Sequence, residues 1–161
     1  MERGEGSGQG QRTRAVSEPG GDKVWYEAGL RFSCTQCGGC CRNQGEYNFV
    51  NLGPRELEEI PRFLGISAQE FLERCCTKEL GHFPTLRMDS PQCPFLDTAS
   101  RCAIYSVRPM QCRTWPFWRS NLVQNTWEGA VRERCPGSGK GELYSEATIE
   151  ARAEATERNF D

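Results

Sequence analysis

Four of the ten cysteines fall within eight positions, inside the stretch FSCTQCGGCCRNQG at residues 32 to 45. The four follow the spacing C-x2-C-x2-C-C and are Cys34, Cys37, Cys40 and Cys41. A C-x2-C turn lets two sulfurs approach one metal while backbone N–H groups point toward the thiolates. Gly38 and Gly39 favour such a turn because glycine tolerates positive φ. The stretch therefore predicts a metal site.

The identity of the metal is not determined by this spacing. Three cysteines at this period match the beginning of a ferredoxin-type iron–sulfur run, in which a remote fourth thiolate completes the site. The same spacing also begins many four-cysteine zinc sites. Adjacent Cys40 and Cys41 will usually point in different directions, which indicates either two sites or one ligand beside a supporting thiol.

A second group of cysteines is spread over the C-terminal half of the chain. Its members are Cys93, Cys102, Cys112 and Cys135. Two of them, Cys93 and Cys135, precede a proline, as the last cysteine of a bacterial ferredoxin run does. With four cysteines in each group, the sequence fits one or two four-thiolate centres. We expect one or two iron–sulfur clusters of the four-iron, four-sulfur kind, or zinc.

The remaining cysteines and the histidine have no clear ligand pattern. Cys75 and Cys76 follow Phe71 by about one turn of a predicted helix, so core packing is their favoured role. His82 is the single histidine, and we expect a packed or exposed side chain rather than a ligand. Arginines adjoin cysteines at five positions, where they either offset thiolate charge or simply lie at the surface. These positions are Arg42, Arg74, Arg101, Arg113 and Arg134.

Composition limits the fold and the partners. Hydrophobic residues make up 37% of 161 residues and the mean hydropathy is −0.68, which predicts a small core that a metal would help to stabilise. The predicted fold class is therefore a small α+β fold with short helices, short strands and long loops around a metal site. A net charge of −2 gives no indication of nucleic-acid binding.

The sequence favours a cytoplasmic location. We find no apolar stretch near the ~18 residues that span a membrane, and the N-terminal segment lacks the apolar core of a signal peptide. We therefore expect a cytoplasmic protein without membrane partners, in which clustered thiols bind a metal rather than form disulfides.

Three segments are predicted along the chain. Residues 1–23 should be a disordered tail, residues 24–140 the cysteine-cluster domain, and residues 141–161 a C-terminal helix. A helix should open at Pro54 and kink or end near Ile60, because Pro61 follows. Ser67 and Glu70 form a capping box for a second helix that should run to about Thr77.

Other elements are predicted less directly. The stretches TLRM and CPFL should pair as short strands, and residues 125 to 131 should form another strand. In the final helix the apolar positions Leu143, Ala147, Ala151 and Ala155 form a weak stripe, so this helix should dock loosely.

The order of motifs resembles a known family. FSCTQCGGCC, CPFL, CAIYSVRPMQCRTWPF and CPG follow one another as in the YkgJ-type cysteine-cluster family, which is described as a zinc- or iron-chelating domain with a CxxCxxCC core. The resemblance extends over about residues 31 to 140 and implies that the eight cysteines of the two groups are the metal-site residues. Tyr105, Arg108, Pro109, Arg113 and Pro116 match further family positions.

The resemblance leaves three functions open. A larger relative, the flagellin lysine N-methylase, is similar around its cysteine cluster, which implies iron–sulfur chemistry coupled to S-adenosylmethionine in one branch. This chain is much shorter, so that activity is not transferred. The favoured function is an iron–sulfur or iron/zinc-chelating protein with a redox or accessory role. The alternatives are a structural zinc protein and an iron–sulfur enzyme related to the methylase, and no protein partner is indicated.

Overall fold

The computed structural model describes residues 23–42, 49–77, 83–88 and 91–159. His82 and the predicted disordered tail, apart from Lys23, lie outside these residues. The described chain consists of short helices and two small two-stranded sheets joined by long loops. The predicted α+β fold class is confirmed.

The first sheet joins the two ends of the described chain. Strand β1 (Leu30–Phe32) pairs antiparallel with β4 (Glu142–Tyr144), so that Leu30 lies opposite Tyr144. Helix α6 (Glu146–Arg158) follows β4 directly and begins at Ser145, whose hydroxyl accepts a hydrogen bond from the backbone N–H of Thr148. This pairing holds the start of the first cysteine group, two residues beyond β1, beside the C-terminal segment.

Two helices and the second sheet form the other half of the molecule. Helices α1 (Pro54–Leu64) and α2 (Ala68–Cys75) are followed by strand β2 (Cys76–Thr77), which pairs antiparallel with β3 (Thr85–Leu86). The predicted cap of α2 is confirmed, because Ser67 Oγ accepts a hydrogen bond from the Glu70 N–H at 3.1 Å. The helix ends at Cys75 rather than Thr77, since the next two residues enter the sheet.

Several local predictions are wrong. Helix α1 continues through Pro61 to Leu64, with Ile60 and Pro61 both buried. Strand β3 contains the first two residues of TLRM, but it pairs with β2 rather than with CPFL. Each of these outcomes depends on tertiary burial or pairing, which local signals do not encode.

The segment predicted as a strand over residues 125 to 131 is helical. Helix α4 (Gln124–Thr126) continues through a π-helical stretch (Trp127–Val131) into α5 (Arg132–Arg134). Trp127 and Val131 are four residues apart and both buried, so the helical conformation places them on one face toward the core. Burial of this face outweighs their preference for strands.

The hydrophobic core consists of two clusters. The first contains Phe32, Phe117, Trp127, Ile149 and Ala153 among its buried residues. Because Ile149 and Ala153 are fully buried, the prediction of a loosely docked C-terminal helix is wrong.

The face of α6 that packs inward is also different from the predicted one. The buried positions are Ile149, Ala153 and Thr156, whereas Leu143 lies in β4 and is exposed. Thr156 forms a hydroxyl–hydroxyl hydrogen bond with Thr114 of helix α3 (Met110–Thr114).

The second cluster lies around α1, α2 and β3, with Leu52, Ile60, Phe71, Leu86 and Ile104 at its centre. It also contains Cys76, while Cys75 packs against it. In the described residues, no helix is long and apolar enough to cross a membrane.

Candidate metal centre

The first cysteine group lies on a loop that leaves β1 and ends in a 3₁₀ turn (Gly39–Cys41). Gln36 and Gly38 adopt left-handed conformations, with φ of 53° and 72°. The Gly39 N–H lies 3.4 Å from Cys37 Sγ and donates to it, an N–H···S contact of the predicted kind.

The two glycines of this loop have different roles. For Gly38 the predicted need for positive φ is confirmed. Gly39 does not have positive φ, so the same prediction is wrong there. It lies instead against the backbone carbonyl of Arg134, where an added Cβ would be 2.5 Å from that oxygen. Gly39 thus allows the first cysteine group to approach the segment that leads into Cys135.

The second cysteine group reaches the same region from separate elements. The Cys93 N–H donates to the Cys41 carbonyl at 2.6 Å, which joins the two groups directly. Cys102 is held by a β-bridge to Leu96. Cys112 lies in the middle of α3, and Cys135 immediately follows α5.

All eight predicted metal-site cysteines line one cavity of about 340 Å³. They are Cys34, Cys37, Cys40, Cys41, Cys93, Cys102, Cys112 and Cys135. The lining also includes Phe32 and Trp115 from the first core cluster and Leu86 and Ile104 from the second. The cavity therefore lies between the two clusters. Cys75 and Cys76 are absent from its lining and pack in the second cluster, as predicted for them.

Cys40 interacts with thiols of both cysteine groups. A hydrogen bond with Cys41, followed by burial, raises the pKa of Cys40 above its ordinary value. Burial raises the pKa of Cys112 well above its ordinary value, and the charges of Cys40, Cys93 and Cys102 raise it further. Sulfurs from both groups are therefore close enough to repel one another as thiolates.

Burial also raises the pKa of two other thiols of the second cysteine group. It raises the pKa of Cys93 from 9.0 to about 11, although a backbone hydrogen bond from Phe95 partly opposes the shift. Burial also raises the pKa of Cys102. A bound cation would oppose these shifts, because it stabilises the thiolate, which is the form of cysteine that acts as a metal ligand.

The arginines next to cysteines do not share one role. Arg113 lines the cavity. Arg42 donates to the Cys37 carbonyl at 3.3 Å and to Ser100 Oγ at 2.7 Å, so it braces the first loop.

Two other arginines pair with acids four residues away. Arg74 Nη1 lies 2.6 Å from Glu70 Oε1, and Arg101 Nε lies 4.0 Å from Asp97 Oδ2. The charge of exposed Arg74 nevertheless lowers the pKa of Cys75 against the larger effect of burial, so the two roles that the sequence left open do not exclude each other.

The arginine that acts most directly on the thiols is Arg108. Its charge lowers the pKa of Cys40, Cys102 and Cys112 against the larger opposing effects. Its guanidinium carbon lies 3.8 Å from the centre of the Tyr105 ring. Burial raises the pKa of Tyr105, and a hydrogen bond with Cys34 raises it further.

Sequence reasoning missed Arg152 and Tyr144, which also line the cavity. The Arg152 guanidinium carbon lies 4.9 Å from the centre of the Tyr144 ring, and its Nη1 donates to the Arg113 carbonyl at 3.1 Å. No local signal marks either residue, because β4 and α6 meet the cysteine loops only in the folded chain.

The thiol arrangement suits a thiolate-bound group more than a catalytic zinc of the hydrolase type. No histidine, aspartate or glutamate of the described residues lines the cavity, whereas catalytic zinc is usually held by such side chains. Among the described residues, no three His, Cys, Asp or Glu side chains lie close enough together to hold one metal ion. The eight thiols instead surround a shared space.

Comparison with known proteins agrees with this arrangement. A sequence profile for the family "CxxCxxCC: Putative zinc- or iron-chelating domain" matches residues 33–136. The chain belongs to this family. The resemblance inferred from the order of motifs is thereby confirmed, and the matched range contains all eight cavity cysteines of the CxxCxxCC domain.

Sequence comparison also finds a relative of this chain. The "Uncharacterized protein MJ0661" of Methanocaldococcus jannaschii is 31% identical over 93 residues, which is 57% of this chain and 48% of that protein. The chain thus spans about half the length of this curated relative. No solved structure matches the chain. Membership in the CxxCxxCC family supports metal binding, in the form of zinc or iron chelation.

Proposed function

We propose that this CxxCxxCC domain holds an iron–sulfur cluster in its thiol-lined cavity and serves a redox or accessory role. The observation that carries the proposal is that all eight cysteines of the two groups line the same cavity. When bound, such a cluster supplies one-electron transfer. The protein's part is to supply thiolates, restrict water and balance charge.

The distribution of the thiols favours a cluster over a single zinc ion. Four sulfurs around one zinc, each at about 2.3 Å, must lie roughly 3.8 Å from one another. Eight cysteines line the cavity, which is twice the number that one zinc ion takes. A cluster offers a separate iron to each thiolate, so its ligands need not converge on one point.

We assign the first ligand set to Cys40, Cys93, Cys102 and Cys112. These four are coupled through their charges, and all are removed from water to a degree that raises each thiol pKa. Cys34, Cys37, Cys41 and Cys135 also line the cavity and form either a second set or a supporting layer. The first ligand set therefore contains one cysteine from the first sequence group and three from the second.

The surrounding residues fit a negatively charged centre. A four-iron cluster in its oxidised state, held by four thiolates, has a formal charge of −2. Arg108 places positive charge near three of the four thiols. We also propose a cytoplasmic location, because the ten cysteines are not paired in disulfides and unpaired cysteines persist in a reducing compartment.

The decisive experiment is metal analysis of protein purified without oxygen. We expect iron and acid-labile sulfide in equal amounts, with a visible absorption band that dithionite bleaches reversibly. Cys40→Ser and Cys112→Ser should each remove most of the iron and sulfide. Cys75→Ser, in which the altered thiol packs outside the cavity, is the matched control and should retain both.

Other outcomes would contradict the proposal in distinct ways. A colourless protein with stoichiometric zinc would establish the structural zinc alternative. Iron without sulfide would indicate mononuclear iron binding rather than a cluster. Equal loss of iron in the Cys75→Ser and Cys112→Ser proteins would contradict the assignment of the cavity as the site.

A further inference from the structure

The cavity has a cationic wall in addition to its thiols. Arg108, Arg113 and Arg152 all contribute to the lining, and none of the described lining residues is an aspartate or glutamate. Arg113 lies near one carboxylate of the described residues, with its Nη2 3.9 Å from Glu59 Oε2. Within the described residues, no ion pair to Arg108 or Arg152 is found.

The three guanidiniums are ordered by a chain of backbone contacts. Arg152 Nη1 donates to the carbonyl of Arg113 at 3.1 Å, and Arg113 Nε donates to the carbonyl of Arg108 at 2.7 Å. Arg108 Nη1 in turn donates to the carbonyl of Tyr105 at 2.7 Å. Each guanidinium has five N–H donors, so most of the donors on this wall are not used by these bonds.

The aromatic contacts fix two of these arginines further. Arg108 lies over Tyr105 and Arg152 lies over Tyr144. A guanidinium stacked on an aromatic ring keeps its edge available for hydrogen bonds in the plane of the group. This arginine row, which consists of Arg108, Arg113 and Arg152, is therefore ordered before any ligand binds. The ordering lowers the entropic cost of binding.

Arg108 and Arg152 have different surroundings in the cavity. Arg108 is the arginine whose charge acts on Cys40, Cys102 and Cys112. Arg152 lies over Tyr144, whose ring centre is 6.4 Å from that of Phe32, another lining residue. A cationic group beside aromatic rings is suited to a ligand with an anionic end and an apolar body.

We propose that Arg152 and Arg113 bind the carboxylate or phosphate group of a small-molecule ligand, which enters the cavity beside the thiol site. Planar guanidinium forks match both oxyanions through paired hydrogen bonds. The inference extends the proposed function by naming a class of substrate for the same site. Binding of the anion itself needs only the arginines and does not depend on which metal the thiols hold.

A simpler alternative is that these arginines only balance thiolate charge. The two explanations differ in what Arg152→Gln does. If the arginines only balance thiolate charge, Arg152→Gln lowers the metal content or changes the metal's spectrum. The wild type then has no anion site that the substitution could remove. Under our proposal, metal content is retained and anion affinity falls.

The test is a calorimetric titration of the protein as purified without oxygen, with malonate and with inorganic phosphate as probes. We expect saturable binding to the wild type that weakens as salt is added. Arg152→Gln should weaken binding by about tenfold or more, the loss expected for a charge-assisted pair of hydrogen bonds. Metal content, measured on the same samples, should be unchanged.

The matched control is Arg158→Gln on the same helix. Arg158 is exposed and pairs with Glu154 at 3.2 Å, outside the cavity. It should bind both probes as the wild type does. If Arg152→Gln does not fold, Arg152→Lys keeps the positive charge but not the planar fork and should still weaken binding measurably.

Three results would overturn the inference: no saturable binding of either probe to the wild type, equal affinity in wild type and Arg152→Gln, or loss of metal in that variant with unchanged anion affinity. The results that would refute the proposed function are different. Wild-type protein without iron and sulfide that still binds the probes through Arg152 would refute the cluster and support the oxyanion site. Protein that contains a cluster but binds neither probe would support the cluster and refute the oxyanion site.

Discussion

Replacing Gly39 with alanine tests whether the close approach between the first cysteine loop and the Cys135 segment supports the metal centre. The added Cβ would lie 2.5 Å from the backbone oxygen of Arg134 and 3.4 Å from Cys37 Sγ. Real Cβ atoms keep at least 3.0 Å from such neighbours, and most keep 3.4 Å. The loop and the Arg134 carbonyl must therefore separate by about 0.5 to 0.9 Å.

The size of the effect follows from what resists this separation. Both sides of the contact are backbone or short side chains, and the adjoining Cys41 carbonyl is tied to the Cys93 N–H. Overpacking of this kind costs about 1–3 kcal/mol, which lowers Tm by roughly 3–9 °C for a chain of this length. A shift beyond about 0.5 Å also exceeds the tolerance of a ligand site, so metal content should fall below half of the wild-type value.

The matched control is Gly129→Ala, which adds the same methyl group in the π-helical stretch. No heavy atom lies within 4 Å of that added Cβ. We expect unchanged metal content and a free energy of unfolding that stays constant or rises by about 0.5–1 kcal/mol, as for glycine to alanine in a helix.

Metal analysis and thermal unfolding by far-UV circular dichroism, both without oxygen, measure the two effects. If Gly39→Ala matches the wild type in Tm and in metal content, the contact is not a constraint and the reasoning is refuted. Equal losses in Gly39→Ala and Gly129→Ala would also refute it, because the effect would then be independent of the Arg134 carbonyl.

Two further predictions concern positions around the thiols. Glu56 is buried, and its Oε1 accepts the N–H of Met110 at 2.8 Å at the start of the helix that contains Cys112. Glu56→Ala should therefore lower the free energy of unfolding by about 1–3 kcal/mol and reduce metal content, whereas exposed Glu58→Ala should change the free energy by less than about 0.5 kcal/mol. The second concerns pH: because burial raises the pKa of Cys93 from 9.0 to about 11, the native metal-free protein holds this proton more tightly than the unfolded chain. Its contribution is fully present below pH 9 and is lost as pH rises through 11, so urea titrations should show falling stability over that window, with a smaller fall in Cys93→Ser. Equal effects of the two glutamate variants, or stability that stays level from pH 9 to 11, would contradict these predictions.

Local signals predicted the parts of the fold that depend on a few adjacent residues. The capping box at Ser67 and Glu70 is such a signal, because its hydrogen bond joins residues three apart. The helical state of Trp127 and Val131 was not predicted, since their strand preference is a local property and their shared buried face is a tertiary one. Pro61 likewise lies within a helix that extends beyond it, against the local expectation.

The candidate site shows the same division. Spacing indicated a metal site at the first four cysteines, and the family resemblance implied all eight cysteines that line the cavity, because thiol spacing and motif order are features of the chain itself. Spacing could not indicate that Cys40 would be coupled to Cys93, Cys102 and Cys112 rather than only to its sequence neighbours.

The sequence by itself determined that this is a metal-binding chain of the CxxCxxCC family, because thiol number, spacing and motif order are properties of the linear chain. Only the tertiary structure decided that both cysteine groups share one cavity and that an arginine row lines it. The physical reason lies in long-range contacts. Arg152 reaches Arg113 across 39 positions of the chain, and it does so because burial of Ile149 and Ala153 in the first core cluster holds α6 in place beside α3.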